Sequence, residues 1–367
     1  MIAKVSVHWN RLLERRWLVP VLLASGLVLA FLVPEYHLLS VYAQLILMYV
    51  GINIILAVSL NLVNGYMGEF SLAHAGFMAI GAYTSAVLTM KVLPAADFPL
   101  LFPLAVLAGG AAAAVFGLIV AVPSFKVRGD YLAIITLAFL MIVKSAIENI
   151  DFVGGPRGLS GILRLTTLPW VFFWTVALVW LVRNFVYSNY GRGVMSIRED
   201  EIASDLMSVN TRQVKFFAFM LSSFCAGIAG ALFAHLLQFI SPRVFDIAKS
   251  TEILIMVYLG GIASIGGSIL GATLFTVLLE LLRPSTMASL LSWLPAAVFN
   301  PLNEHFISHL GVWRMVIMPL ALILVMLYWP RGMMGLREYR GFVPERDKDA
   351  HRHTLPEAGL HEHPESD

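Results

Sequence analysis

A lone cysteine, a shortage of charge and the lack of any phosphate-binding loop bound what this sequence can do. Cys225 has no second cysteine in the 367-residue chain and stands in an apolar run, which excludes an intrachain disulfide and argues against cysteine-based metal chemistry. Its small side chain suits packing. Charged residues are 13% of the chain, about half the roughly 25% of a soluble domain, too few to coat a water-exposed globule. No Gly-Lys pair occurs, which removes the GxxxxGK[ST] loop and that route to ATP. HExxH, GxSxG and any histidine–carboxylate cluster within the apolar runs are missing too, so no catalytic or metal-ligating residue is assigned. A net charge of +2 does not point to a nucleic-acid partner.

What is there is hydrophobic. At 59% hydrophobic residues and a mean hydropathy of +0.80, most of the surface must meet lipid or other helices, which defines a multi-pass membrane chain. Lys4, Arg11, Arg15 and Arg16 precede an apolar run, Trp17–Val33, with no small-residue cleavage site before Pro34, so the run reads as a retained first span. Further runs are Leu38–Leu62, Ala73–Met90, Leu100–Val122, Tyr131–Ile147, Trp170–Tyr187, Phe216–Leu237, Glu252–Ile262, Ser268–Leu282 and Val312–Tyr328. These predict an all-α integral membrane protein of about ten transmembrane helices, two of its segments broken or re-entrant. Residues 1–16 form a basic arm, 17–340 the transmembrane domain, and 341–367 a disordered tail whose histidines lack any assignable supporting partner.

Basic residues set the orientation. With ten spans, the N-terminal arm, Lys126 and Arg128, the cluster from Arg192 to Lys215, and Arg331, Arg337 and Arg340 all fall on one side, expected to be cytoplasmic together with both termini. The glycine-rich loop Gly154, Gly155, Arg157 and Gly158 then faces outward, as does the segment from Pro284 to Gly311. Small residues at packing spacing, Ala226, Gly230 and Ala234, and the pair Gly267 and Gly271, predict close helix approach.

Two places break the apolar pattern. The run from Asn61 to Gly76 carries Asn61, Asn64, Gly65, Glu69, Ser71 and His74, and irregular backbone near a membrane is tolerated where it is buried in protein or lines a watered cavity. A second break holds Gly260, Gly261 and Ser264, and paired breaks of this kind often flank a transport site. Both are candidates for lining a solute pathway.

Between two apolar runs, residues 196–210 read as a charged amphipathic helix. Ser196 with Glu199 fits a capping box, and Ile202, Leu206 and Val209 recur at i, i+4 and i+7, a stripe expected to rest against the protein's own body. The other face carries Arg198, Glu201 and Asp205 beside Ser204 and Ser208, which suits a basic soluble partner. It lacks the Lys/Arg-rich face and large apolar anchors of a helix lying on headgroups.

Four blocks in order resemble the permease subunits of branched-chain amino acid ABC importers, the hydrophobic amino acid uptake family. They are Leu60-Asn61-Leu62 through Gly65-Tyr66-Met67-Gly68 to Ile80-Gly81-Ala82-Tyr83; Arg128-Gly129-Asp130-Tyr131 with Gly154-Gly155 and Gly158-Leu159; the helix from Ile197 to Asn210 leading to Ala226-Gly227-Ile228-Ala229-Gly230; and Leu259-Gly260-Gly261-Ile262 with Ser264-Ile265-Gly266-Gly267 and Arg331-Gly332-Met333-Met334-Gly335-Leu336. The likeness covers nearly all of the chain between Leu38 and Leu336.

The resemblance implies a transport subunit in a bacterial inner membrane, without cofactor, driven by ATP on two separate ATP-binding cassette subunits. A second homologous permease and an extracytoplasmic solute-binding protein, docking at the outer loop, complete the implied assembly. Arg198, Glu199, Asp200, Glu201, Ala203, Asp205, Ser208 and Asn210 would couple the permease to the ATPase. The family usually has alanine at Ser204 and glycine at Ser208. Urea, amides and aromatic acids are alternative solutes. An ion-coupled secondary transporter is the rival class, and would relay ions through Lys144, Glu148, His235, Glu252 or Glu280.

Overall fold

The computed structural model describes residues 39–92, 101–124 and 131–284, with isolated positions at 26, 32, 36, 286, 320, 323–324, 327–328 and 332–334. Apart from those positions, the expected first and last spans, the basic arm, Lys126, Arg128, the segment after Pro284, Arg331, Arg337, Arg340 and the tail lie outside the described residues.

The described chain is almost wholly helical. Helix α1, Val41–Asn61, starts at Ser40, whose hydroxyl accepts the Ala43 N–H, and runs on as a π-turn, Leu62–Tyr66. Helix α2 is His74–Val87, α3 Phe102–Ser124, α4 Tyr131–Asn149 and α5 Leu168–Val186. Two short helices follow, α6 at Asn189–Glu199 and α7 at Glu201–Leu206. Then come α8, Thr211–Leu237, α9, Ile247–Gly260, and α10, Ile265–Leu281. Six of these segments are long and apolar enough to cross a membrane, among them a 26-residue run from Val41 to Tyr66 and the 27 residues of α8. Helices α9 and α10 are shorter, at 14 and 17 residues.

Helix α8 is the hub, packed on α1, α2 and α3. Backbone proximity makes that possible: a Cβ on Gly230 would lie 1.9 Å from the Met78 carbonyl oxygen, so only glycine lets α8 and α2 meet. The Gly267 and Gly271 pair does the same for α9 and α10, since a Cβ on Gly271 would come within 2.2 Å of the Met256 oxygen. Both approaches match the spacing in the sequence.

The bundle has two dissimilar ends. At one, a two-stranded antiparallel ribbon pairs β1, Leu159–Ser160, with β2, Phe239–Ile240, and Lys91 donates to the Phe152 carbonyl at 2.6 Å. At the other, α1 finishes, α8 begins, and α6 and α7 stand between α5 and α8.

Three expectations are corrected. Residues 196–210 are not one helix: Asp200, at φ −159°, ends α6 and caps α7 by accepting the Ile202 and Ala203 N–H groups. Ser196 caps nothing; it lies inside α6, its hydroxyl spent on the Gly193 carbonyl at 2.9 Å, and Ser188 caps that helix instead. The break after Asn61 is also shorter than its polar content suggested. Helical backbone continues to Tyr66 and resumes at His74, because Asn61 and His74 find partners in neighbouring helices.

Candidate functional site

Helix α7 turns its apolar residues outward. Ile202 is 61% exposed, Leu206 80% and Met207 80%, while Ser204 is buried with its hydroxyl on the Asp200 carbonyl at 2.8 Å. Of the stripe expected against the protein's body, Ile202 and Leu206 therefore face away from it while Val209, past the end of α7, packs on the core, since the cap at Asp200 rotates the helix relative to a continuous 196–210 repeat. Glu199, Asp200, Ala203, Asp205, Ser208 and Asn210 are exposed around it. Met207 and Ser208 close the helix, with Ser208 at φ +64°, a left-handed conformation that favours glycine. Asp205 accepts from the Thr211 hydroxyl at 2.7 Å and Asn210 caps α8 through the Gln213 N–H, which fixes the turn to the hub helix.

Two cations fasten this corner to the first break. Arg198 donates to the Gly65 carbonyl at 3.0 Å, and Gly68, at φ +75°, leaves room for its stem. Lys215, on α8, has its ammonium 2.8 Å from a Glu69 oxygen and 2.8 Å from a Glu201 oxygen. Its side chain is only 5% exposed, so the charge is held by carboxylates rather than water.

The two breaks meet. Asn61 Nδ2 donates to the Ser264 carbonyl at 2.9 Å and to the Ser268 hydroxyl at 2.7 Å, and its Oδ1 accepts the Ala263 N–H at 2.9 Å. Gly65 must lack a side chain here, because a Cβ would lie 1.9 Å from Asn61 Oδ1. On the far side, the Met333 and Met334 N–H groups donate to the Leu259 and Gly260 carbonyls, which otherwise end α9 unpaired. Gly261 and Ser264 lie inside this joint, with Ser264 capping α10 through the Gly267 N–H.

The remaining polar residues of the first break point into the bundle. Asn64 Oδ1 accepts the Ser71 N–H at 3.1 Å, and Ser71 accepts weakly from Ala73 at 3.4 Å. His74 Nε2 lies 3.2 Å from the Ser222 hydroxyl, which itself donates to the Ser59 carbonyl. Asn64 Nδ2 and His74 Nδ1 are buried without a hydrogen-bond partner. At the opposite end, Gly154, Gly155 and Gly158 all take positive φ, Arg157 is exposed, and the loop leads into β1. There Lys144 Nζ lies 2.6 Å from Asp246, and this hydrogen bond holds the Asp246 carboxyl below the usual carboxylate range.

The structure thus brings Asn61, Gly65, Gly260, Gly261 and Ser264 into one joint, and beside it Glu201 and Glu69 onto the Lys215 ammonium, with Arg198 tied to the Gly65 carbonyl. Gly154, Gly155, Arg157 and Gly158 stand apart at the other end. Sequence reasoning missed the roles of Lys215, Ala263 and Ser268. Lys215 carried a signal, as the last charge before 22 uncharged residues of α8, if His235 is counted neutral; a cation at the head of such a run needs a carboxylate.

Fold and site together define a polytopic helical membrane protein with a short helix whose apolar side chains are exposed. The model of the branched-chain amino acid transport system / permease component family matches residues 42–327, and the chain belongs to that family. It is 35% identical over 275 residues to the high-affinity branched-chain amino acid transport system permease protein LivM of Escherichia coli strain K12, covering 65% of this chain and 63% of that one. The same figures hold for LivM of Salmonella typhimurium. A probable LivM of Methanocaldococcus jannaschii is 25% identical, across 65% of this chain and 81% of its own length. The matched region thus spans less than two thirds of the two bacterial relatives. No solved structure matches the chain.

Proposed function

We propose that this chain is a permease subunit of an ATP-driven, binding-protein-dependent importer, most suited among the solutes considered to branched-chain amino acids, the cargo named for its relatives. The observation that carries the reading is the outward apolar face of α7, Ile202, Leu206 and Met207, ringed by Glu199, Glu201 and Asp205. An apolar patch rimmed by charge on an otherwise lipid-facing protein fits a docking surface for a soluble subunit.

In this reading two ATP-binding cassette subunits supply the energy, one of them seated on α7, and a second homologous permease completes the pathway. A solute-binding protein docks at the end bearing Gly154, Gly155, Arg157 and Gly158. The chain then has about ten spans with both termini in the cytoplasm of a bacterial cell, the α7 end being cytoplasmic. The solute passes near the joint of the two breaks, by alternating access. ATP shifts inward and outward states only as far as α7 makes different contacts in each.

An ion-coupled transporter draws less support. Lys144 is paired with Asp246, Glu252 with Lys249, and Glu280 with Arg283, while His235 lies 3.0 Å from the Leu163 carbonyl. Neutralised pairs at helix ends are poor relays.

The test is to tag the chain, extract it in mild detergent from its native membrane and identify stoichiometric companions by mass spectrometry. Recovery of an ATP-binding subunit and a second permease is expected. Recovery of the chain alone, still transporting after reconstitution, would overturn the reading.

A further inference from the structure

The Lys215 ammonium answers two carboxylates from different elements at equal distance, Glu201 of α7 and Glu69 of the loop after α1. The three differ in access to solvent. Side-chain exposure is 5% for Lys215, 17% for Glu69 and 31% for Glu201, so only the Glu201 end is open to an incoming partner. A cation from a docked subunit can reach Glu201 and compete for it. With Glu201 engaged by that cation, Glu69, already at 2.8 Å, is left as the carboxylate that answers the buried ammonium.

Glu69 is not a free-standing acceptor. Its own N–H donates to the Val63 carbonyl at 3.1 Å, and its segment carries Gly65, which packs on Asn61 and thereby on Ala263. A shift of Glu69 is therefore felt at the joint of the two breaks within a few residues. Arg198, held on the Gly65 carbonyl, is the second tie from the same corner and keeps α6 in place while α7 exchanges partners.

We propose that Lys215 is a positioning residue that transmits occupancy of α7 to the paired breaks by redistributing its bond between Glu201 and Glu69. This rests on the importer reading above. Its two states are a shared bridge, when α7 is free, and a Lys215–Glu69 pair, when a partner holds Glu201. Both ends bias the same element, which is what coupling between sites requires.

The test uses the whole importer, purified with its companions and placed in vesicles, with ATP hydrolysis and solute uptake measured on the same preparation. Glu69→Gln keeps shape and a hydrogen-bond acceptor but removes the second charge. The expected result is unchanged recovery of the ATP-binding subunit and an increase of about tenfold in ATP spent per solute, within the usual range for coupling between sites. Lys215→Arg, which keeps the cation, is expected to stay near the wild-type ratio, whereas a purely structural brace would not distinguish charge from shape in this ratio. A wild-type ratio for Glu69→Gln, or loss of the ATP-binding subunit from it, would overturn the proposal while leaving the importer reading intact. A wild-type chain that recovers no ATP-binding subunit would overturn both.

Discussion

Asn61 holds Ala263 in a conformation alanine avoids. Ala263 sits at φ +58°, and its N–H is bound by Asn61 Oδ1 at 2.9 Å, across a separation of 202 residues. The other end of the same amide grips Ser264 and Ser268, so one buried side chain bonds two backbone groups of the turn and the Ser268 hydroxyl of the helix that follows it. Asn61→Ala should cost about 3 kcal/mol, at about 1 kcal/mol for each bond removed, and lower the melting temperature of the detergent-purified chain. A melting temperature equal to wild type would show that the joint does not depend on Asn61.

Gly65 makes a separate prediction because it fails by collision. Gly65→Ala places a methyl carbon 1.9 Å from Asn61 Oδ1 and 2.5 Å from the Ala263 nitrogen. It should destabilise the chain, and its penalty should shrink when Asn61→Ala is also present, since the clashing side-chain atoms of Asn61 are then gone and only the Ala263 nitrogen remains. Additive losses in the cycle would contradict the contact.

Ser208 occupies a left-handed position without being glycine. Ser208→Gly should raise the melting temperature slightly and Ser208→Val should lower it, because a β-branched side chain tolerates positive φ least. The reverse order would mean that the turn between α7 and α8 is not held as described. The wild-type cost is about 1 kcal/mol, the usual penalty for a side chain in this region.

How much of this was legible before the structure depends on whether the signal was local. The described spans were read within a few residues, since a run such as Val41–Tyr66 advertises itself by hydropathy alone. The interruptions between Tyr66 and His74 and between Gly260 and Ile265 were visible as lapses in that pattern. That the two touch was not, because Asn61 and Ala263 are brought together by the packing of α1, α9 and α10 and by no spacing in the chain. The orientation of α7 was misread for a different reason. Ser196 and Asp200 both have the chemistry of a cap, and only the burial of Val194 and Ile197 in α6 decides that the helix starting at Ser188 runs through the first and stops at the second.

At the other end, Asp246 gives a pH dependence of known sign. Its carboxyl is held below the usual range by Lys144, so its contribution is complete above the ordinary carboxylate pKa and is lost as pH falls through the lower folded value. Asp246→Asn keeps a cap for the Ile247 N–H, seen at 2.7 Å in the parent, but loses the ion pair. At neutral pH the variant should melt below wild type by a small margin, as befits a half-exposed pair, and the gap should close in acid. A gap that is constant from neutral pH to below the carboxylate range would remove Lys144 as the cause.

Leu206 tests the docking face with the least risk to the fold. It is 80% exposed on the last turn of α7, so a substitution there removes almost no contact within the chain. Leu206→Asp should leave membrane insertion and melting temperature within about 0.5 kcal/mol of wild type, the ordinary range for surface changes. If α7 seats in a cleft of an ATP-binding subunit, a carboxylate in place of that leucine must be desolvated without a partner, and affinity should drop by at least about tenfold. The measurement is recovery of the ATP-binding subunit with the tagged chain at graded salt and detergent, compared with Arg157→Asp at the opposite end as a control for surface charge. Equal recovery from wild type and Leu206→Asp would place the docking surface somewhere other than α7.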